Sequence, residues 1–213
     1  MRTIIALLLL FSATATSVAA APGEAQRSWQ FSVLLDGSPI GYHRFELMSR
    51  ESELEVRSEA SFDVRFLFIN AFRYRHSNRE LWEGECLRVI ESSTRQNGEE
   101  FAVSGELLPQ GLQIEANGKS DRLDGCVMTF AYWNPRFLEQ SRLLHPQTGE
   151  YMSVDVQPLG REELTVRGQS VTAFAYQVKA RDVDITVYYS DDDEWLGLES
   201  VAKGGRIIRY VLT

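Results

Sequence analysis

Positive charge is in short supply in this chain. Lys and Arg number 22 against 30 Asp and Glu, for a net charge of −8. A nucleic-acid-binding surface is normally basic, so that class of partner is excluded. Histidine is scarcer: His43, His76 and His145 are the only three. They lie on separate segments, with no HxH or HxxxH pair. Metal sites draw several ligands from fixed spacings, so no metal centre is expected. There are two cysteines and no CxxC, which removes the thiol–disulfide oxidoreductases. No GxSxG elbow and no glycine-rich oxyanion loop is present, and no motif implies a cofactor. Past residue 20 no apolar run approaches the ~18 residues of a membrane helix. No membrane span is therefore expected once the N-terminus is removed.

That N-terminus is the one long apolar stretch. Met1-Arg2-Thr3 is a positive start, Ile4 to Phe11 an apolar centre, and Ser17 to Ala21 a run of small residues. This is the layout of a cleaved secretory signal peptide. The sequence thus divides into a signal peptide (1–20), a disordered lead-in (21–28) and a single β domain (29–213). The expected location is periplasmic or secreted. Export permits disulfides, and Cys86 and Cys126 are expected to form one. A bridge closing a loop of this length contributes roughly 4 kcal/mol on chain-entropy reasoning.

The stretch from Leu54 to Gly98 organises the rest. Val56, Ala60, Phe62, Val64, Phe66 and Phe68 share one parity, and Arg57, Glu59, Asp63 and Arg65 the other. That is a strand with one dry and one wet face. The next segment carries Arg73, Arg75, Ser77 and Arg79 outward. Its opposite face reads Phe72, Tyr74, His76, Asn78, Glu80, Trp82. If that face points inward, it brings an imidazole, an amide and a carboxyl into an apolar interior, where each needs a hydrogen-bond partner. A third strand, Cys86 to Gln96, offers Ser92 and Thr94 and ends at Asn97-Gly98, a strong hairpin signal.

Strand patterns continue on both sides, interrupted once. Asn134-Pro135 reads as an N-cap followed by a first helical residue, which predicts one short helix over 135–143. Met152 to Pro158 and Glu162 to Arg167 read as two strands joined by a turn at Leu159-Gly160-Arg161. Short connections between so many strands predict a mainly β fold: a single antiparallel up-and-down meander, forming a strongly curved sheet or open barrel.

The run from His76 through Glu80, Trp82, Gly84 and Leu87 to Thr94 and Asn97-Gly98 resembles the signature of an uncharacterised exported bacterial family, domain-of-unknown-function family 6134. Tyr132-Trp133-Asn134, the Thr148-Gly149 turn, the Tyr189 strand and the Gly204-Gly205 hairpin fit the same pattern. The resemblance implies a periplasmic, mostly antiparallel β protein and no assigned activity.

Aromatic residues are the other plentiful resource. Phe62, Phe66, Phe68, Phe72, Tyr74, Trp82, Phe130, Tyr132, Trp133, Tyr189 and Trp195 are placed to line an interior. They would either fill it as ordinary core or wall a pocket. The leading expectation is a non-enzymatic protein that binds or carries a hydrophobic or amphipathic small molecule, such as a lipid. The candidate ligand-binding residues are Tyr74, His76, Asn78, Glu80, Trp82, Ser92, Thr94, Trp133 and Tyr189, with the Pro135 helix gating or plugging the opening. Two alternatives stand beside it. One is an envelope protein-interaction module with a solid core. The other is a hydrolase-like enzyme using His76 with Ser92 or Thr94.

Overall fold

The computed structural model describes residues 25–50, 52–66, 69–202 and 204–213. The expected signal peptide and residues 21–24 lie outside the described residues. Among these residues fifteen strands follow in order: β1 (Ala25–Leu35), β2 (Ser38–Arg50), β3 (Glu53–Phe66), β4 (Ile69–Glu83), β5 (Cys86–Gln96), β6 (Glu99–Leu108), β7 (Gly111–Ala116), β8 (Lys119–Leu123), β9 (Arg142–Leu144), β10 (Tyr151–Ser153), β11 (Asp155–Val166), β12 (Gln169–Ala180), β13 (Val183–Tyr189), β14 (Trp195–Ala202) and β15 (Arg206–Leu212). Thirteen of them form one antiparallel sheet in the order β11-β12-β13-β14-β15-β1-β2-β3-β4-β5-β6-β7-β8. Within β1–β8 and within β11–β15 every neighbour in sequence is a neighbour in space, and β15 closes back on β1. The meander is therefore as expected. The sheet is curved but not closed, since β8 and β11 remain its two edges.

Turn chemistry sets the register. Asn97-Gly98 and Asn117-Gly118 hold positive φ at both positions, as a two-residue hairpin requires. The Asn97 side chain also accepts from the Arg73 backbone N–H at 2.8 Å, tying the β5–β6 turn to β4. Arginines and acids on the outer face of β2–β5 pair across strands, including Asp63 with Arg75 at 2.6 Å and Arg79 with Glu91 at 3.2 Å.

Three sequence expectations need correction. Strand β1 begins at Ala25, so Ala25–Ser28 extend the sheet by pairing with Glu46–Ser49 rather than forming a lead-in. The expected helix over 135–143 is a single 3₁₀ turn, Pro135–Glu139. Asn134 caps it as read, accepting from the Arg136 N–H. The helix stops there because Arg142–Leu144 are drawn into β9, pairing with β10. Finally, Leu159-Gly160-Arg161 is a bulge inside β11. Pro158 pairs with Tyr176 and Gly160 with Ala175, leaving Leu159 extra. Gly160 takes φ +100, and β11 is an edge, where a proline costs no ladder bond.

The segment between β8 and β11 does not skirt the sheet; it crosses its concave side as a strap. Val127, Met128, Phe137, Leu143 and Leu144 on it are at most 1% exposed. One apolar cluster joins these residues to inward side chains from β1–β8 and β12–β15. All four tryptophans are in that cluster, with Trp82 edge-on to Trp133 at 5.4 Å. Backbone groups of the strap are paired within it and to the sheet: Leu144 N–H donates to Met128 C=O at 2.8 Å, and Tyr189 OH on β13 donates to Tyr132 C=O at 2.6 Å. Cys86 and Cys126 form the expected disulfide, tethering the head of the strap to the start of β5.

Candidate functional site: a cavity walled by all three histidines

Cross-strand register places the polar groups. His43 on β2 pairs with Ala60 on β3, which pairs with His76 on β4, which pairs with Thr94 on β5. One step along, Phe45 pairs with Ser58, Asn78 and Ser92 in turn; the next row carries Leu47, Val56, Glu80 and Ile90. Adjacent strands lie about 4.8 Å apart, so β3 separates His43 from His76. It offers only Ser58 and Ala60 between the two walls. Small side chains there leave the interior unfilled.

The result is a cavity of about 330 Å³ between this part of the sheet and the strap. Its wall includes His43, Phe45, Ser58, Phe62, Phe72, Tyr74, His76, Asn78 and Glu80 from β2–β4. The strap adds Thr129–Trp133 and His145–Gln147, and β13–β15 add Val183, Ser200, Ile208 and Tyr210. The interior is thus solid where the tryptophans meet and hollow beside the three histidines.

Of the candidates read from the sequence, Tyr74, His76, Asn78, Glu80 and Trp133 are on this wall. Trp82, Ser92, Thr94 and Tyr189 stand behind it. Trp82 Nε1 donates to Glu80, Ser92 donates to the Pro146 carbonyl, Thr94 Oγ1 lies 2.7 Å from His76 Nδ1, and Tyr189 holds the strap. Phe62, Phe72, Phe130 and Tyr132 also line the cavity, whereas Trp195 fills core. Phe68 and the side chain of Phe66 lie outside the described residues. The Pro135 turn is no gate: Phe137 is fully buried and the turn does not reach the cavity. The flank is instead latched by Gln147, which accepts from Tyr74 OH at 3.1 Å and donates to Gln96 at 3.3 Å.

His43, Ser58, Thr129, His145, Gln147 and Tyr210 were not among the sequence candidates. Alternation alone could have found Ser58, since it shares the inward parity of Val56 and Ala60. His43 shares the inward parity of Phe45 on β2, but nothing local distinguishes it from a packed histidine. The strap residues depend on a crossover that strand periodicity does not encode.

Glu80 is 2% exposed and accepts from Asn78 Nδ2 and Trp82 Nε1, both at 2.9 Å, and from Thr129 Oγ1 at 3.4 Å. Burial pushes its carboxyl pKa up against the pull of those donors. Burial has the opposite effect on the imidazoles. His76 is held down to about 4, and His43 and His145 are also lowered. Two buried polar atoms on the wall have no partner: His43 Nε2 and Asn78 Oδ1. Among the described residues no group of three or more His, Cys, Asp or Glu is arranged to hold a metal.

These shifts fix a pH dependence. A histidine whose folded pKa is depressed gives stability that is complete above its unfolded value near 6.5 and is lost as pH falls towards about 4. Between pH 7 and 5 His76 alone accounts for about 2 kcal/mol of that loss. Glu80 acts oppositely. Its raised pKa removes stability as pH climbs above about 4.5, offsetting part of the histidine effect. Denaturant unfolding at pH 7 and pH 5 checks this: His76→Phe is expected to shrink the wild-type loss by about 2 kcal/mol.

Comparison with known proteins agrees with the architecture. The model of a family described as Domain of unknown function (DUF6134) matches residues 31–213, so the chain belongs to that family. Among solved structures, the chain is similar to a beta-barrel-like protein of domain of unknown function DUF1849 from Brucella abortus. The TM-score is 0.64 at 9% identity, over 87% of this chain and 94% of that one. At that identity the likeness concerns fold alone. No curated protein matches.

Proposed function

We propose that this member of the DUF6134 family is a non-catalytic binding protein, acting outside the cytoplasm, that holds a small amphipathic molecule in the cavity beside β3. The observation that carries the reading is a 330 Å³ hollow walled by aromatic rings, on which two buried polar atoms lack partners. Pockets of this size, mostly apolar with a few convergent polar groups, are the usual form of small-molecule sites. An unpaired buried polar atom costs about 1–3 kcal/mol, a cost that a bound group would relieve. The hydrolase alternative is less well supported. Thr94 Oγ1 reaches His76, but Thr94 is 1% exposed and off the cavity wall, and Ser92 is committed to the Pro146 carbonyl.

The test is to fill the hollow. Ser58 is 8% exposed and lines the cavity from its floor. Ser58→Leu is expected to lower affinity for the neutral fluorescent probe N-phenyl-1-naphthylamine about 10-fold or more, with the thermal midpoint held or raised. Unchanged probe affinity in a folded Ser58→Leu protein, together with no extractable small molecule in the mass spectrum of the wild type, would overturn the reading.

A further inference from the structure

We infer that the occupant's polar end is an uncharged hydroxyl, so that the cavity selects an alcohol-headed amphiphile over a carboxylate-headed one. This rests on the binding reading above and narrows it to a ligand class.

The first argument is charge. Among the described residues no Arg or Lys lines the cavity. Its titratable wall consists of Glu80, the three histidines, Tyr74, Tyr132 and Tyr210. Burial lowers every one of those imidazoles and raises the carboxyl and every one of those phenols. An anionic headgroup would enter without a countercharge, next to a buried acid, and would leave its hydration behind.

The second argument is hydrogen-bond direction. His43 Nδ1 lies 3.3 Å from Tyr210 OH, and its Nε2 is unpartnered. If the phenol donates to Nδ1, Nε2 carries the proton and wants an acceptor; if Nδ1–H donates to the phenol, Nε2 wants a donor. Asn78 behaves alike. With Nδ2 on Glu80, its Oδ1 wants a donor. With the amide turned over onto a protonated Glu80, its Nδ2 wants an acceptor. A hydroxyl donates and accepts, and so meets either arrangement at whichever of the two groups it reaches. A carboxylate only accepts, and an ether only accepts.

The ligand series on the unaltered protein tests this. 1-Decanol, decanoate and 1-methoxydecane share a comparable chain and differ at the head, and each is titrated against bound N-phenyl-1-naphthylamine at pH 7.5. 1-Decanol is expected to displace the probe at a concentration about 10-fold lower than either other compound. In His43→Phe and Asn78→Leu that advantage is expected to fall below about 3-fold, read as the ratio of the three compounds' affinities within each variant. Decanoate binding as tightly as 1-decanol would overturn the uncharged head. 1-Methoxydecane binding as tightly would overturn the hydroxyl while leaving the apolar pocket intact. If neither the probe nor any of the three compounds binds, the binding reading falls, and this inference with it.

Discussion

Glu80→Ala is expected to cost about 4 kcal/mol of folding free energy, seen as a fall of about 12 °C in the thermal midpoint. The carboxyl is the meeting point of β4 and the strap. Asn78 and Trp82 donate to it from its own strand, and Thr129 from the strap. Removing it leaves the indole N–H of a fully buried Trp82 and the hydroxyl of a 1% exposed Thr129 without an acceptor. Each orphaned donor costs about 1–3 kcal/mol, and the missing side-chain atoms add a void. Glu80→Gln separates the polar account from the shape. Its single oxygen can serve Trp82 and Thr129, and its amide can donate to Asn78 Oδ1 once that amide turns over, so each contact to residue 80 is kept. Its cost is expected to be about 1 kcal/mol. Equal costs for the two substitutions, by denaturant unfolding of both, would mean that the hydrogen bonds to Glu80 do not anchor the strap.

How far the sequence revealed this arrangement depends on the range of each signal. Inward placement of Tyr74, His76, Asn78 and Glu80 follows from period-two alternation within one strand, a signal that needs no knowledge of the partner. The Asn-Gly turns are equally local, because both positions must adopt positive φ. The hollow was not legible as such. It arises where Ala60 and Ser58 on one strand fall opposite His43 and Phe45 on the strand before and His76 and Asn78 on the strand after. Such a coincidence requires the register of three strands. The strap was legible as a change of texture around Asn134-Pro135, but its path was not. An apolar segment of alternating short turns gives no period, and the expected helix loses its second half to β9 because pairing with β10 covers Leu143 and Leu144, both fully buried. Pro158 shows the converse: a local breaker read as the end of a strand is tolerated because β11 has no neighbour on one side.

The strap is tethered both covalently and by hydrogen bonds, and the second prediction separates the two kinds. Cys126 is exposed, so the Cys86–Cys126 bridge is open to reductant. Replacing both cysteines by alanine is expected to lower stability by about 4 kcal/mol, the chain-entropy value for a loop of 40 residues. The native arrangement should survive this. Leu87 N–H still donates to Val127 C=O at 2.9 Å beside the lost bridge, and Glu80 and Tyr189 still hold Thr129 and Tyr132. Probe affinity in the cavity is therefore expected to stay within about 2-fold of wild type, even as the denaturation midpoint falls. Combining the cysteine pair with Glu80→Ala removes the covalent tether and the central polar one together. Because both act on the same segment, their effects should not add. The combined variant is expected to lose probe binding altogether while keeping the strand content of the sheet in its far-UV spectrum. Retained binding there would show that apolar burial of Phe137, Leu143 and Leu144 is enough by itself to keep the cavity wall in place.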